Sequence, residues 1–240
     1  EEVAAEDWEV ELERWLEPFV AGLRRQAQRR WASFYLKGLI LPGERKSVEP
    51  MAARVAPADT QQLHHFVSTS PWATAPLEDE LVKAADRLVG GADAVLVIDD
   101  TALVKQGRHS VGVKRQYCGQ LGKTANCQSL VSLTLARSEV PVCVGLRLFL
   151  PEDWCGDAER RAAVGVPEAI GYRPKWKIAL NEIDRVLASG ARCGCVLADA
   201  EYGKAAEFRA RLAERLSYAV GILPTQKVYP ADVTLAFPER

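Results

Sequence analysis

AVLVIDDTALVKQGRHSVGVKRQYCGQLGK, residues 94–123, governs how the rest of the chain is interpreted. Ala94 to Ile98 is an unbroken apolar run, the mark of a strand buried on both faces, and it gives way at once to Asp99 and Asp100. The residues after them include Lys105, Arg108, Lys114, Arg115 and Lys123 and no acid. A carboxylate pair that closes a buried strand and is followed by a one-signed cationic ribbon points to metal-dependent work on a polyanion.

Toward higher numbers, Cys127 to Leu135 alternates as a second strand. Val140 to Leu150 makes a third, with Pro141 near its start, where a missing donor is tolerated. A loop LPEDWCGDAERR follows, then a helix from about Lys175 to Ala188 and a strand from Cys193 to Ala198 that ends in Asp199. A helix from Lys204 to Leu216 and a strand from Tyr218 to Leu223 complete the series. Three meandering strands followed by helix, strand, helix and strand are the order of an α/β, RNase H-like mixed sheet. In that order the first and fourth strands are neighbours, so Asp99-Asp100 and Asp199 meet at one edge of the sheet. Two carboxylates there suit Mg²⁺ or Mn²⁺, hard ions that prefer oxygen. Asp99 and Asp100 alternate across the strand, so at most one of them is expected to be the direct ligand.

Toward lower numbers the periodicity is helical. Trp8, Leu12, Trp15, Leu16, Phe19 and Leu23 share a face of a first helix, with a break expected at Pro18, and a second helix runs through Phe34. The tryptophans read as core packing more readily than as a platform for bases. Leu41-Pro42-Gly43 is a turn; Ser47 opens a short helix with Met51, Ala52 and Val55, and Asp59 with Gln62 has capping-box spacing before Leu63, Phe66 and Val67. That pair resembles a helix-turn-helix in outline only. His64 and His65 are adjacent and so lie on different helix faces. A helix from Leu77 to Leu88 stops at Gly90-Gly91. The expected division is a helical region, 1–91, and an α/β core, 92–240.

Charge is segregated within a net total of −1. Glu1, Glu2, Glu6, Asp7, Glu9, Glu11, Glu13 and Glu17 form an acidic opening, followed by Arg24, Arg25, Arg29, Arg30, Lys37, Arg45 and Lys46. The basic group either contacts phosphates or pairs with the acidic opening. A near-neutral total argues against indiscriminate coating of nucleic acid. No apolar run approaches the roughly 20 residues that span a bilayer, and the acidic start is unlike a secretory leader, so a cytoplasmic protein is expected. The six cysteines show no repeated CxxC spacing and read as free thiols; Cys193 and Cys195 face the same way and are read as fillers of a packed sheet.

VLVIDDTALVKQGRHSVGVKRQYCGQLGKTANCQ, then LFLPEDW, then LADAEYG around Asp199 resemble the blocks of the DDE-superfamily transposases of bacterial insertion sequences. The resemblance extends back through LHHFVSTSPW and GLILPGERKSVEPMA to about Trp15. It implies a metal-dependent endonuclease and strand transferase that acts on transposon ends and target DNA as a homodimer or higher oligomer. By position the first catalytic acid is Asp100, before Thr101, with Asp99 beside it, and the second is Asp199; both implied ligands would hold Mg²⁺ or Mn²⁺. Glu201 either assists or serves the surface. DNA contacts are expected at Lys105, Arg108, Lys114, Arg115, Lys123, Arg29, Arg30, Arg45 and Lys46. The family's third acid, a glutamate in a tyrosine-arginine-glutamate-lysine pattern, has no match: Glu207 and Glu214 come too early, and Glu239 follows Pro238 at the end. The expectation is therefore either a transposase whose catalytic core is incomplete here, or a non-catalytic DNA-binding or regulatory protein derived from one.

Overall fold

The computed structural model describes residues 7–230 and 232–234; Glu1, Glu2, Glu6 and Glu239 fall outside them. The chain divides into two compact units, Glu1–Ala84 and Ala85–Arg240.

The first unit is helical. It contains α1 (Asp7–Ala21), α2 (Gln26–Ile40), α3 (Val48–Val55), α4 (Thr60–Ser68) and most of α5 (Ala75–Val89), which crosses the boundary. Its core gathers Trp31 of α2, Ala52 of α3, Ala56, and Leu63 and Phe66 of α4. Each large apolar side chain buried this way contributes about 1.5–3 kcal/mol. Contrary to the expected break, α1 runs through Pro18. The proline is exposed, so water can satisfy the carbonyl that its missing N–H leaves unpaired. Leu16, Phe19 and Leu23 are buried as expected, but Trp15 is 51% exposed and leans on Phe19. Ser47 and Asp59 both stand at N-cap positions without a side-chain cap bond.

The second unit is built on six strands: β1 (Val95–Val104), β2 (Lys114–Cys118), β3 (Lys123–Arg137), β4 (Val140–Leu148), β5 (Cys195–Ala198) and β6 (Tyr218–Val220). β3 runs antiparallel to β1 on one edge and to β4 on the other, while β5 is parallel to β1 and β6 parallel to β5. The sheet order β4-β3-β1-β5-β6 is the RNase H-like order. β2 is an addition: it pairs with residues 123–127 of β3, beyond the stretch taken by β4. Between β4 and β5 lie two short helices, α6 (Glu152–Cys155) and α7 (Ala158–Ala163), then α8 (Lys175–Ala188). Between β5 and β6 lie α9 (Ala200–Gly203) and α10 (Ala206–Ala213), where one helix from 204 to 216 was expected.

α8 covers one face of β3 and β4. Ile178, Ala179, Ile183 and Val186 are buried on it, with Leu96 and Ile98 of β1 and Val131, Leu133 and Leu135 of β3 buried in the sheet. The alternation is clean on β3, where odd-numbered residues from Cys127 to Leu135 are buried and the even ones are only partly covered. No described helix is long and apolar enough to cross a membrane.

Candidate active site

β1 does not stop at its acids. It continues to Val104, paired with β3 along its whole length, so Asp99 and Asp100 stand in mid-strand opposite Ser132 and Val131. Alternation then separates them. Asp100 shares the face of Leu96 and Ile98, which is also the buried face of β3, whereas Asp99 is exposed on the other. The parallel register pairs Ile98 with Ala198, so the residues that follow, Asp99 within β1 and Asp199 just past the end of β5, lie about 5 Å apart at the same level.

Asp199 is also the N-cap of α9. Its Oδ1 accepts the backbone N–H of Glu201 at 2.9 Å and of Tyr202 at 3.3 Å. Both bonds fall on one oxygen, which leaves Oδ2 for another electropositive partner.

Two residues that the sequence did not single out complete the arrangement. Tyr202, in the first turn of α9, is 1% exposed, and its hydroxyl donates to Asp100 Oδ1 at 2.7 Å. Lys175, at the start of α8, places its Nζ 2.5 Å from Asp100 Oδ2. One carboxylate is thus held from both sides, by a neutral donor and by an ammonium. Burial pushes the Tyr202 hydroxyl pKa far above the ordinary phenol value, and the negative charges of Asp100, Asp199 and Asp99 push it further, so the tyrosine stays a donor. Tyr202 had a sequence signal, its place three residues after Asp199 in LADAEYG. Lys175 had a weaker one, as the residue after Pro174 that opens a helix.

The donor set suits a hard divalent cation. Asp99, Asp100 and Asp199 offer only oxygen, and Mg²⁺ is commonly held by one or two carboxylates, with water and substrate phosphate filling the other positions. Among the described residues no three His, Cys, Asp or Glu side chains converge on one point. Glu201 is exposed and pairs with Lys204 at 2.5 Å. Glu207 and Glu214 lie on and just after α10, both exposed.

The cationic residues fall into two groups. In the second unit, Arg115 and Lys123 are exposed on the β2–β3 hairpin, together with Tyr117 at 69% exposure. Lys114 reaches Asp153 at 3.1 Å. Lys105 and Arg108 lie in the loop after β1, which Asn126 anchors through the carbonyls of Lys105 and Gly107, at 2.8 and 2.9 Å. In the first unit Arg29 donates to the Leu23 carbonyl, Arg30 lies over the rings of Trp31 and Phe34, Lys46 donates to the Leu41 carbonyl, and Arg45 is exposed. Lys37 pairs with Glu9 and Glu13 of the acidic opening, each at 2.9 Å. Burial alone would lower its pKa; the two glutamates outweigh it and raise it. The six cysteines are free. Cys193 is half-buried, and that burial, with Cys195 nearby, raises its thiol pKa.

Compared with known proteins, the chain matches the family of DDE superfamily endonucleases over residues 18–240. It is 34% identical over 188 residues to a probable transposase for insertion sequence element IS701 from Microchaete diplosiphon, an alignment covering 77% of this chain and 46% of that relative. The aligned part is therefore less than half of the relative's length. A solved Drosophila P element transposase strand transfer complex aligns with 86% of this chain and 47% of that one, at 11% identity and a TM-score of 0.26, too loosely to place any residue.

Proposed function

Because the chain belongs to the DDE superfamily of endonucleases, we propose that it carries the first two acids of a transposase active site and performs, or takes part in, metal-dependent cleavage and strand transfer on transposon-end DNA. The observation that supports this most strongly is that Tyr202 joins the two acids, its hydroxyl donating to Asp100 Oδ1 at 2.7 Å and its backbone N–H to Asp199 Oδ1 at 3.3 Å.

In this reading Asp100 and Asp199 hold Mg²⁺ or Mn²⁺, with Asp99 beside them. When bound, such ions activate water or a 3′ hydroxyl on one side of a phosphodiester and stabilise the leaving oxygen on the other. The chain's own residues supply the positioning. Tyr202 fixes the rotamer of Asp100, and the amides of α9 fix that of Asp199, so neither carboxylate has to be ordered when substrate arrives. Arg115, Lys123, Lys105 and Arg108 track the DNA backbone near the acids, with Arg29, Arg30, Arg45 and Lys46 as a second set. Function as a homodimer or higher oligomer in the cytoplasm belongs to the same reading.

The experiment is Mn²⁺- or Mg²⁺-dependent nicking of a labelled duplex bearing transposon ends, with Asp199→Asn alongside. The reading expects nicking that requires the metal and that the variant abolishes. Nicking that persists in the variant contradicts it. A second reading, a DNA-binding regulator without cleavage activity, is favoured by the lack of a third convergent carboxylate among the described residues, and metal-independent binding without nicking would support it.

A further inference from the structure

We propose that Lys175 is a built-in counter-cation that competes with the divalent ion for Asp100, so that metal binding requires the ammonium to give way. The inference rests on the metal-site reading above and concerns a residue which that reading does not use.

Lys175 is the first residue of α8, and the first turn of that helix has no acidic residue. A cation at a helix N-terminus faces the positive end of the macrodipole and weakens the helix, so helix stability does not explain the lysine. What it faces instead is Asp100, 2.5 Å away. The lysine and aspartate side chains are 24% and 28% exposed, too covered for solvent and salt to screen the pair as they would at a surface.

The surroundings point the same way. Asp99, Asp100 and Asp199 bring up to three negative charges near Tyr202, and all three act on it. Tyr202 is neutral and cannot balance them. Lys204 is engaged with Glu201. Lys175 therefore supplies the balancing charge, and the face of Phe149, 5.3 Å from Nζ, is a further partner of the ammonium where it stands. A divalent ion that takes Asp100 Oδ2 must displace the ammonium. The lysine stays tethered beside it, within reach of a phosphate oxygen.

The test is Mn²⁺ titration of the full chain, read from the free-ion paramagnetic resonance signal and so independent of activity. Wild type is compared with Lys175→Met, Lys175→Gln, Lys175→Arg and Asp100→Asn, each checked by circular dichroism. Removing the competing charge is expected to tighten Mn²⁺ binding about tenfold in the Met and Gln variants, while the Arg variant stays close to wild type. A merely structural lysine would give no change or a loss. Unchanged or weaker binding in a folded Met or Gln variant, with binding still lost in Asp100→Asn, overturns the proposal alone. Equal binding by wild type and Asp100→Asn overturns the metal-site reading beneath it.

Discussion

Among single residues, Tyr202 matters most for geometry, through its hydroxyl. It is a buried neutral donor to a carboxylate, and charge-assisted bonds of this kind contribute about 1.5–3 kcal/mol. Tyr202→Phe keeps the ring against Phe208 and removes only the donor. Thermal unfolding of that variant should show a loss of about 1–2 kcal/mol with the fold retained, because Lys175 still holds the other oxygen; an unchanged melting temperature would mean the bond contributes nothing. The acids themselves were legible in the sequence, because carboxylates next to an apolar run stand out. Their partners were not: a lysine and a tyrosine are ordinary on helices, and only the packing of α8 and α9 against the sheet aims them at Asp100. The N-cap role of Asp199 also changes the choice of variant. An alanine there costs a cap of about 0.5–2 kcal/mol, whereas asparagine keeps it.

Among the helices and strands, the apolar core of β1, the alternation of β3 and the face of α8 were readable because burial imposes a period. β1 beyond Ile98 was not, since its exposed, partly polar second half resembles a strand end and is ordered by ten registered pairs with β3 along the whole strand. β2 was missed because KRQYC has one buried residue, Cys118, and no period to detect. α9 depends on a close approach no pattern reveals: a Cβ on Gly203 would lie 1.9 Å from the Gly221 carbonyl oxygen, just after β6. Gly203→Ala should therefore destabilise the protein by at least about 1–3 kcal/mol in denaturant unfolding and shift Tyr202 with it; wild-type stability would show that the approach is not enforced. The end of α5 is tied down by Asp86, which accepts from the backbone and guanidinium of Arg192. Burial alone would raise the Asp86 pKa, but the Arg192 bonds and charge outweigh it and hold it below the usual carboxylate value. A depressed carboxylate pKa stabilises the fold above the unfolded value of about 3.9 and loses that effect as pH falls through the folded one. Asp86→Asn should lower the melting temperature at neutral pH, and by progressively less as pH falls through the folded pKa; a loss that does not shrink on acidification would contradict the ion pair.

Across the whole molecule, the change from helical to strand periodicity near Gly90 is plain in the sequence, whereas the two compact units divide at Ala84 and Ala85, inside α5. The net charge of −1 hides an exposed basic hairpin. Binding to duplex DNA should therefore weaken steeply with salt. Replacing Arg115 and Lys123 together by alanine should lower the slope of log K against log salt by about 2, close to one for each phosphate no longer neutralised; an unchanged slope would remove the hairpin from the interface. The proposed chemistry depends on Asp100 and Asp199, almost a hundred residues apart in sequence, forming one cation site. Isothermal titration of Mn²⁺ into folded Asp100→Asn and Asp199→Asn protein examines that dependence without recourse to activity. Binding should be lost in each variant, and affinity retained in both would mean that the two acids do not share an ion.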